Sequence, residues 1–261
     1  MRAPLARPSP DVVGSSESLP RPRPLRLHGH HAVLAVLERR PEAVERLFLT
    51  KERARGLGEL LKRMARARRS YRVLPEDELQ ALAKSPHHEG LVADVMDKPA
   101  ADDSALFAHG RPVMALDRVE NPNNLGAVCR SCAHFGAGLL TRGGPVRLQG
   151  AAARVAQGGA EVVAHRRVDA WGPVLRRARR SGYVCWALDG SSEKDLFAAA
   201  VPQRVLWIVG NEKEGVSEEG LKLSDAVFRL GGTGGVESLN ASVAAGVALA
   251  LHRRAWTRSI D

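Results

Sequence analysis

FRLGGTGGVESLNASVAAGVALALHRR, Phe228 to Arg254, is the stretch on which the reading turns. Four glycines between Gly231 and Gly235 let the backbone turn tightly and bring its amide groups close to a ligand. Ser238 and Asn240 then stand at the start of a helix rich in Ala, Gly and Ser, predicted over Leu239 to His252. Two familiar nucleotide sites are excluded here. A dinucleotide fingerprint needs G-x-G-x-x-G, but the third position after Gly232 and Gly234 is Glu237, and too little chain follows for another βαβ unit. A phosphate-binding P-loop needs Gly-Lys-Ser/Thr, which the sequence lacks.

Working back along the chain, LWIVGNEKEGVSEE, Leu206 to Glu219, is a β-rich run ending in Gly210-Asn211-Glu212. Polar groups therefore appear where a parallel strand finishes, the usual place for ligands in open α/β sheets. Read alone, the same segment is an ordinary strand, loop and helix with Ser217 as N-cap. Farther back, VENPNNLGAVCRSCAHFG, Val119 to Gly136, runs from a strand into a helix predicted over Leu125 to Phe135. Asn123 and Asn124 are candidate caps, Gly126 permits close backbone approach, and the neighbours of Arg130 should bury much of its stem.

Around these clusters strands alternate with helices. Strands are predicted at 112–116, 137–141, 162–165, 183–188, 205–209 and 227–230, with further helices at 152–156, 171–180 and 217–222. Buried apolar strands separated by helices imply an α/β fold, a mainly parallel sheet covered on both faces. Ahead of it lies a smaller α/β unit: helix 31–38, strand 46–50, a very basic helix 52–69, strand 71–74, helix 76–83 and strand 90–95. The chain therefore divides into a Pro/Arg/Ser-rich extension over 1–24, expected to be disordered, a small unit over 25–96, a polar linker over 97–106, and a large unit over 107–261. The extension is either a solubilising tail or a loose RNA-attracting arm.

Charge is distributed as unevenly as structure. The formal net charge is +10; residues 1–72 hold 17 Lys+Arg against 7 Asp+Glu, and residues 73–261 hold 22 of each. A basic front and a neutral back suggest that the front end grips a polyanion, nucleic acid foremost. Aromatic residues make up only 4%, against a binder built on base-stacking platforms. The N-terminus has no apolar signal segment, and the longest apolar run, near 241–251, falls short of the roughly 20 residues that cross a bilayer. A cytoplasmic protein without membrane attachment fits. Three cysteines give no disulfide framework. The pair Cys129 and Cys132 lacks two further ligands for zinc, leaving a redox dithiol or, preferred, two small core-facing residues. No metal site is expected.

In this order the three clusters resemble the signature motifs of the SpoU (TrmH-like) RNA ribose 2′-O-methyltransferases of the SPOUT superfamily. The match is carried by Asn124, Gly126, Ala127 and Arg130, by Gly210-Asn211-Glu212, and by Val236-Glu237-Ser238-Leu239-Asn240. GHHAV at Gly29 to Val33 and HHEGLVA at His87 to Ala93 are similar to the ribosomal-protein-like substrate-binding domain often fused to such enzymes. The resemblance implies a C-terminal trefoil knot, a homodimer, S-adenosylmethionine as methyl donor, and tRNA or rRNA as substrate. It implies that Gly210, Leu230, Leu239 and Asn240 hold the cofactor. It further implies that Arg130 is catalytic, that Asn124 positions the acceptor ribose, and that Ser238 meets a phosphate or Arg130. Asn240 would order the knot and cofactor loop, and Glu212 the second motif. Arg130 is favoured as an electrostatic clamp, since a guanidinium keeps its proton below a pH of about 12, with proton abstraction the alternative. The sequence departs from the pattern at Gly231, where proline is common, and at Cys132, where a small residue such as Ala is usual. A catalytically idle RNA binder that keeps the fold is the rival reading; an intact motif set speaks against it.

Overall fold

The computed structural model describes residues 24–107, 110–144 and 147–257. The expectation of a disordered extension over 1–24 lies, but for Pro24, outside them. Two sheets organise the chain.

The first is a four-stranded mixed sheet. Its strands are β1 (Leu25–His28), β2 (Val44–Leu49), β3 (Ser70–Val73) and β4 (Leu91–Val95), in the order β1-β4-β2-β3. Strand β1 is not among the predicted elements, because four residues next to a proline-rich segment show too little alternation. It is held by tertiary pairing, antiparallel to β4 with Arg26 opposite Asp94. Asp94 on the central strand is buried and clamped from both sides, by Arg26 Nε at 2.7 Å and by Arg46 Nη2 of β2 at 3.1 Å. Helices cover both faces. Val33, Val36 and Leu37 of α1 (His30–Arg39) pack with Leu61 and Met64 on one side, while Leu79 and Ala83 of α4 (Glu76–Ala83) meet Phe48 and Val92 on the other. The basic helix expected over 52–69 is two: α2 (Lys51–Gly56) and α3 (Gly58–Arg66) break at Leu57, between glycines that favour interruption.

The second sheet has six strands, all parallel. They are β5 (Val113–Asp117), β6 (Gly138–Arg142), β7 (His165–Val168), β8 (Val184–Leu188), β9 (Val205–Gly210) and β10 (Ala226–Phe228), ordered β10-β8-β9-β5-β6-β7. Helices α6 (Pro122–Phe135), α7 (Gly150–Val155) and α11 (Ala241–Thr257) close one face through Leu125, Val128, Ala245 and Leu249. Helix α9 (Trp171–Arg180) and α5 (Asp103–Phe107) close the other through Trp171, Leu175, Leu106 and Phe107. The expected α/β class with a parallel sheet and helices on both faces is what the chain adopts. The short helix α8 (Gly159–Val162) is additional, while α10 (Glu218–Lys222) is the helix expected over 217–222, starting one residue later. The third expected strand shifts from 162–165 to β7, because the chain turns through α8 first. Among the described residues, no helix is long and apolar enough to cross a membrane.

The segment expected to link the units is not a slack connector. Its C-terminal part forms α5, with Leu106 and Phe107 buried, and Lys98 Nζ donates to the carbonyls of Ala160, Glu161 and Val163 at 2.9 to 3.2 Å. Burial pushes the Lys98 ammonium below its ordinary pKa. Beside it Arg40 of α1 makes a bidentate pair with Glu161, at 2.6 and 3.0 Å. Ala153 of α7 sits within the apolar cluster of the first unit. The units are thus docked through α7 and α8.

Candidate active site

The chain enters the parallel sheet at β5, builds outward to β7, and returns to lay β8 and β9 on the other side of β5. Direction therefore reverses between β5 and β9, and an open α/β sheet leaves a crevice beyond the strand ends at such a point. Both strands deliver motif residues there. After β5, Asn121 Oδ1 accepts from Asn123 N–H at 2.9 Å and Pro122 takes the first helical position of α6. The cap is thus Asn121 and not the expected Asn123 or Asn124. With the cap supplied one turn earlier, Asn124 turns inward and is 8% exposed.

Asn124 Nδ2 donates to Glu212 Oε1, which lies in the loop after β9. Asn240 Nδ2 donates to Asn124 Oδ1 at 3.1 Å and approaches Glu212 Oε1 at 3.5 Å. One residue from each motif therefore meets in a single hydrogen-bonded cluster. Asn240 also caps α11, its Oδ1 accepting from Ser242 N–H at 2.9 Å and from the Ser242 hydroxyl at 2.6 Å. That cap starts the helix at Ala241, two residues later than expected.

Glycines set the close approaches. A Cβ on Gly126 would lie 2.5 Å from Ala152 O, so α6 and α7 cross there in contact. A Cβ on Gly210 would lie 1.9 Å from the carbonyl carbon of Gly215, because the motif loop folds back on its own strand end. Asn211 holds that fold, its Oδ1 accepting from the N–H groups of Lys213 and Glu214, both at 2.8 Å. At Gly231, where the family pattern favours proline, a Cβ would meet Asp195 Oδ2 at 2.1 Å. The Asp195 carboxylate fills the space a side chain would need.

Two site-building residues escaped the sequence reading. Asp117, fully buried at the end of β5, accepts from Arg142 Nη1 at 3.1 Å and from Ser217 N–H at 2.8 Å. Asp189, just after β8, accepts from Ser191 N–H at 3.0 Å and from Val216 N–H at 3.5 Å. Together they brace the loop of Glu212 from either side. An aspartate closing each apolar run, in VMALD and in VCWALD, was the available signal.

The remaining predicted residues stand apart from the cluster. Arg130 lies six positions beyond Asn124 on α6, about 9 Å along the helix and about 120° around it. It is exposed, contrary to the expected burial of its stem, because that face of α6 borders a cavity at the seam with Gly29, His31 and Arg154. Ser238 is exposed and has no hydrogen-bond partner among the described residues. Leu230 is half-buried against the core, and Leu239 is 46% exposed. Every residue from Gly232 to Asn240 is exposed. No backbone N–H from Gly231 to Leu239 bonds to another backbone group among the described residues. Cys129 and Cys132 are fully buried in the core of the second unit, and burial pushes the Cys129 thiol up to about 12 and that of Cys132 well above its ordinary value. Neither has the thiolate character of a reactive cysteine.

Comparison with known proteins agrees with this geometry. Residues 111–250 match the model of the SpoU rRNA Methylase family, and residues 26–100 match that of the RNA 2′-O ribose methyltransferase substrate binding domain. The chain belongs to the SpoU methylase family. It is 33% identical over 228 residues to an uncharacterized tRNA/rRNA methyltransferase, YfiF, of Escherichia coli O157:H7, covering 86% of this chain and 66% of the relative. The chain thus spans just under two thirds of that relative's length. It is 28% identical to the 23S rRNA (guanosine-2′-O-)-methyltransferase RlmB of Neisseria meningitidis serogroup B, over 87% of this chain and 94% of that protein. The SpoU methyltransferase AviRb from Streptomyces viridochromogenes, solved in complex with the cofactor AdoMet, superposes with a TM-score of 0.76 at 26% identity, over 90% of this chain and 91% of that one.

Proposed function

We propose that this protein is an RNA methyltransferase that uses S-adenosylmethionine (AdoMet) to methylate a ribose 2′-hydroxyl of tRNA or rRNA. The observation that carries this reading is the meeting of Asn124, Glu212 and Asn240, one from each family motif, at the reversal point of the parallel sheet. Residues 25–96 are assigned to RNA substrate binding and the chain beyond the connector to methyl transfer. The enzyme is taken to act as a cytoplasmic homodimer, with the segment that carries β9, β10 and α11 tied in a trefoil knot.

The residues present suit the cofactor. The loop from Gly231 to Leu239 offers backbone amides without backbone partners, and Val236 and Leu239 present apolar side chains 74% and 46% exposed. A ligand with an adenine face and polar ends satisfies both. Gly210, Leu230, Leu239 and Asn240 are assigned to hold it; when bound it supplies an electrophilic methyl group on a sulfonium centre. The Arg130 guanidinium stabilises negative charge developing on the acceptor oxygen or lying on a neighbouring phosphate. Asn124 orients the acceptor ribose, and its donation to Glu212 keeps the second-motif loop in place. Ser238, on the exposed loop, is assigned to phosphate contact. No metal enters this scheme.

Incubation with methyl-labelled AdoMet and unmodified tRNA or rRNA tests the reading. Label should become RNA-bound and protect one phosphodiester from alkaline cleavage, the mark of a 2′-O-methyl. Label on a base, or none despite AdoMet binding, overturns it.

A further inference from the structure

Neither histidine motif of the N-terminal unit takes part in the cluster around Asn124. The two meet each other instead, at the seam with the methyltransferase unit. Gly29 N–H donates to Leu91 O at 3.2 Å, and His30 N–H donates to Glu89 Oε2 at 2.8 Å. Helix α7 lies against them. Gly29 has φ +98°, and a Cβ there would stand 3.0 Å from Arg154 Cγ, so the stem of Arg154 lies along the bare glycine backbone. At Gly158 a Cβ would come within 2.9 Å of Ala35 Cβ, which brings the same two surfaces together one turn farther on.

The result is a cavity of about 230 Å³ lined by Gly29, His31, Glu89, Arg130, Arg154 and Gln157, among others. Arg130 and Arg154 both line it, and neither guanidinium forms a hydrogen bond or an ion pair among the described residues. Its one carboxylate, Glu89, already accepts from His30 N–H. Two like charges facing one cavity repel unless an anion lies between them. Guanidinium forks match a phosphate in shape as well as charge. The adjoining cavity beyond Arg154 carries Glu52 and Glu76 with Glu89 against Arg53 and His87, which is no path for a polyanion. An anion that enters the seam therefore stops at Arg154.

We propose that this seam cavity receives one backbone phosphate of the acceptor RNA, gripped by Arg154, which thereby positions the neighbouring nucleotide at Arg130 of the same chain. The proposal rests on the methyltransferase reading for the role of Arg130. It makes Arg154 a positioning residue that the family motifs do not include, and it makes the first unit serve the arginine of its own chain.

The test uses the full chain with Arg154→Gln and Arg154→Lys, and bulk tRNA and transcribed 23S rRNA as probes. Affinity is followed by anisotropy over a range of salt, alongside AdoMet affinity, melting temperature, and KM and kcat for RNA. For Arg154→Gln we expect RNA affinity to fall about tenfold or more and the salt slope to drop by about one. KM should rise in step, with AdoMet affinity unchanged, and Arg154→Lys should restore the salt slope and part of the affinity, since it keeps the charge without the fork. An unchanged slope and KM in Arg154→Gln would overturn the proposal. So would equal losses in both variants that follow melting temperature, since those mark Arg154 as packing alone. RNA binding and its slope are read without turnover, so a wild-type chain that transfers no methyl group refutes the proposed activity and leaves this measurement intact.

Discussion

Asn240 donates to Asn124 at 3.1 Å across 116 positions of sequence, and Asn124 in turn donates an amide N–H to Glu212. The donor order fixes the orientation of both carboxamides. It also ties the start of α6, the loop after β9 and the start of α11 into one unit, so the three motifs share a structural fate before any ligand arrives.

That dependence is testable by charge. Asn124→Asp removes the donor and sets a second carboxylate against Glu212, at an expected cost of about 1.5–3 kcal/mol of stability and more than tenfold in AdoMet affinity. Adding Glu212→Gln restores a donor opposite the new carboxylate and should recover most of both losses. Thermal unfolding and calorimetry read the cycle; strictly additive effects would show that the contact carries no coupling.

Much of this arrangement is legible in the sequence, and the illegible parts have common causes. Helices with a strong apolar face and clear ends, such as α4 and α9, fall where periodicity puts them, because local pattern and tertiary packing agree. Strand β1 escapes because it is stabilised by pairing with β4 and by the Arg26–Asp94 contact, both remote in sequence. Asn124, Glu212 and Asn240 are legible as motif members, but the inward turn of Asn124 follows from Asn121 taking the cap, a choice among adjacent asparagines that spacing does not decide. The place of Arg130 on its helix is legible too, but its exposure is not, since the face it occupies depends on how the N-terminal unit docks.

The docking itself hinges on a paired charge. Arg40 and Glu161 are 20% and 6% exposed at their side chains, and Lys98 stands close by. Glu161→Gln strands two cations at the seam and should cost about 3 kcal/mol, the low end for breaking a buried pair because the arginine retains some water. Calorimetric melting is expected to split into two transitions as the units uncouple. A single transition at the wild-type temperature would show that apolar contacts around Ala153 hold the seam unaided.

Alkaline stability follows from the buried thiols. Burial raises Cys129 and Cys185 from an ordinary value of 9.0 to about 12 in the folded chain. Below pH about 9 both states are protonated and the thiols contribute fully; between about 9 and about 12 only the unfolded state ionises, so stability falls as pH rises. The double variant Cys129→Ala, Cys185→Ala starts less stable but should lose less between pH 8 and about 10.5. Parallel losses in both proteins would assign the alkaline limb to other groups.

The last prediction concerns where a complete site forms. Within one chain Arg130 points to the seam cavity, whereas Glu212 and Asn240 lie on the other side of α6, so the proposed catalytic arginine and the proposed cofactor loop do not converge. The exposed loop from Gly232 to Asn240, with Val236, Leu239 and Val243 uncovered beside it, gives a second copy an apolar surface next to that loop. If the partner's arginine completes the site, a mixed dimer of one Arg130→Ala chain and one Asn240→Ala chain holds one site with both faults and one with neither. Each homodimer should be inactive, and mixing them in equal amounts, with subunit exchange followed by mass spectrometry, should restore up to a quarter of wild-type methylation. Half of the dimers are then mixed and each carries a single working site. If each site is built within one chain, every site in the mixture keeps one fault, and activity stays at the level of the homodimers whatever the extent of exchange.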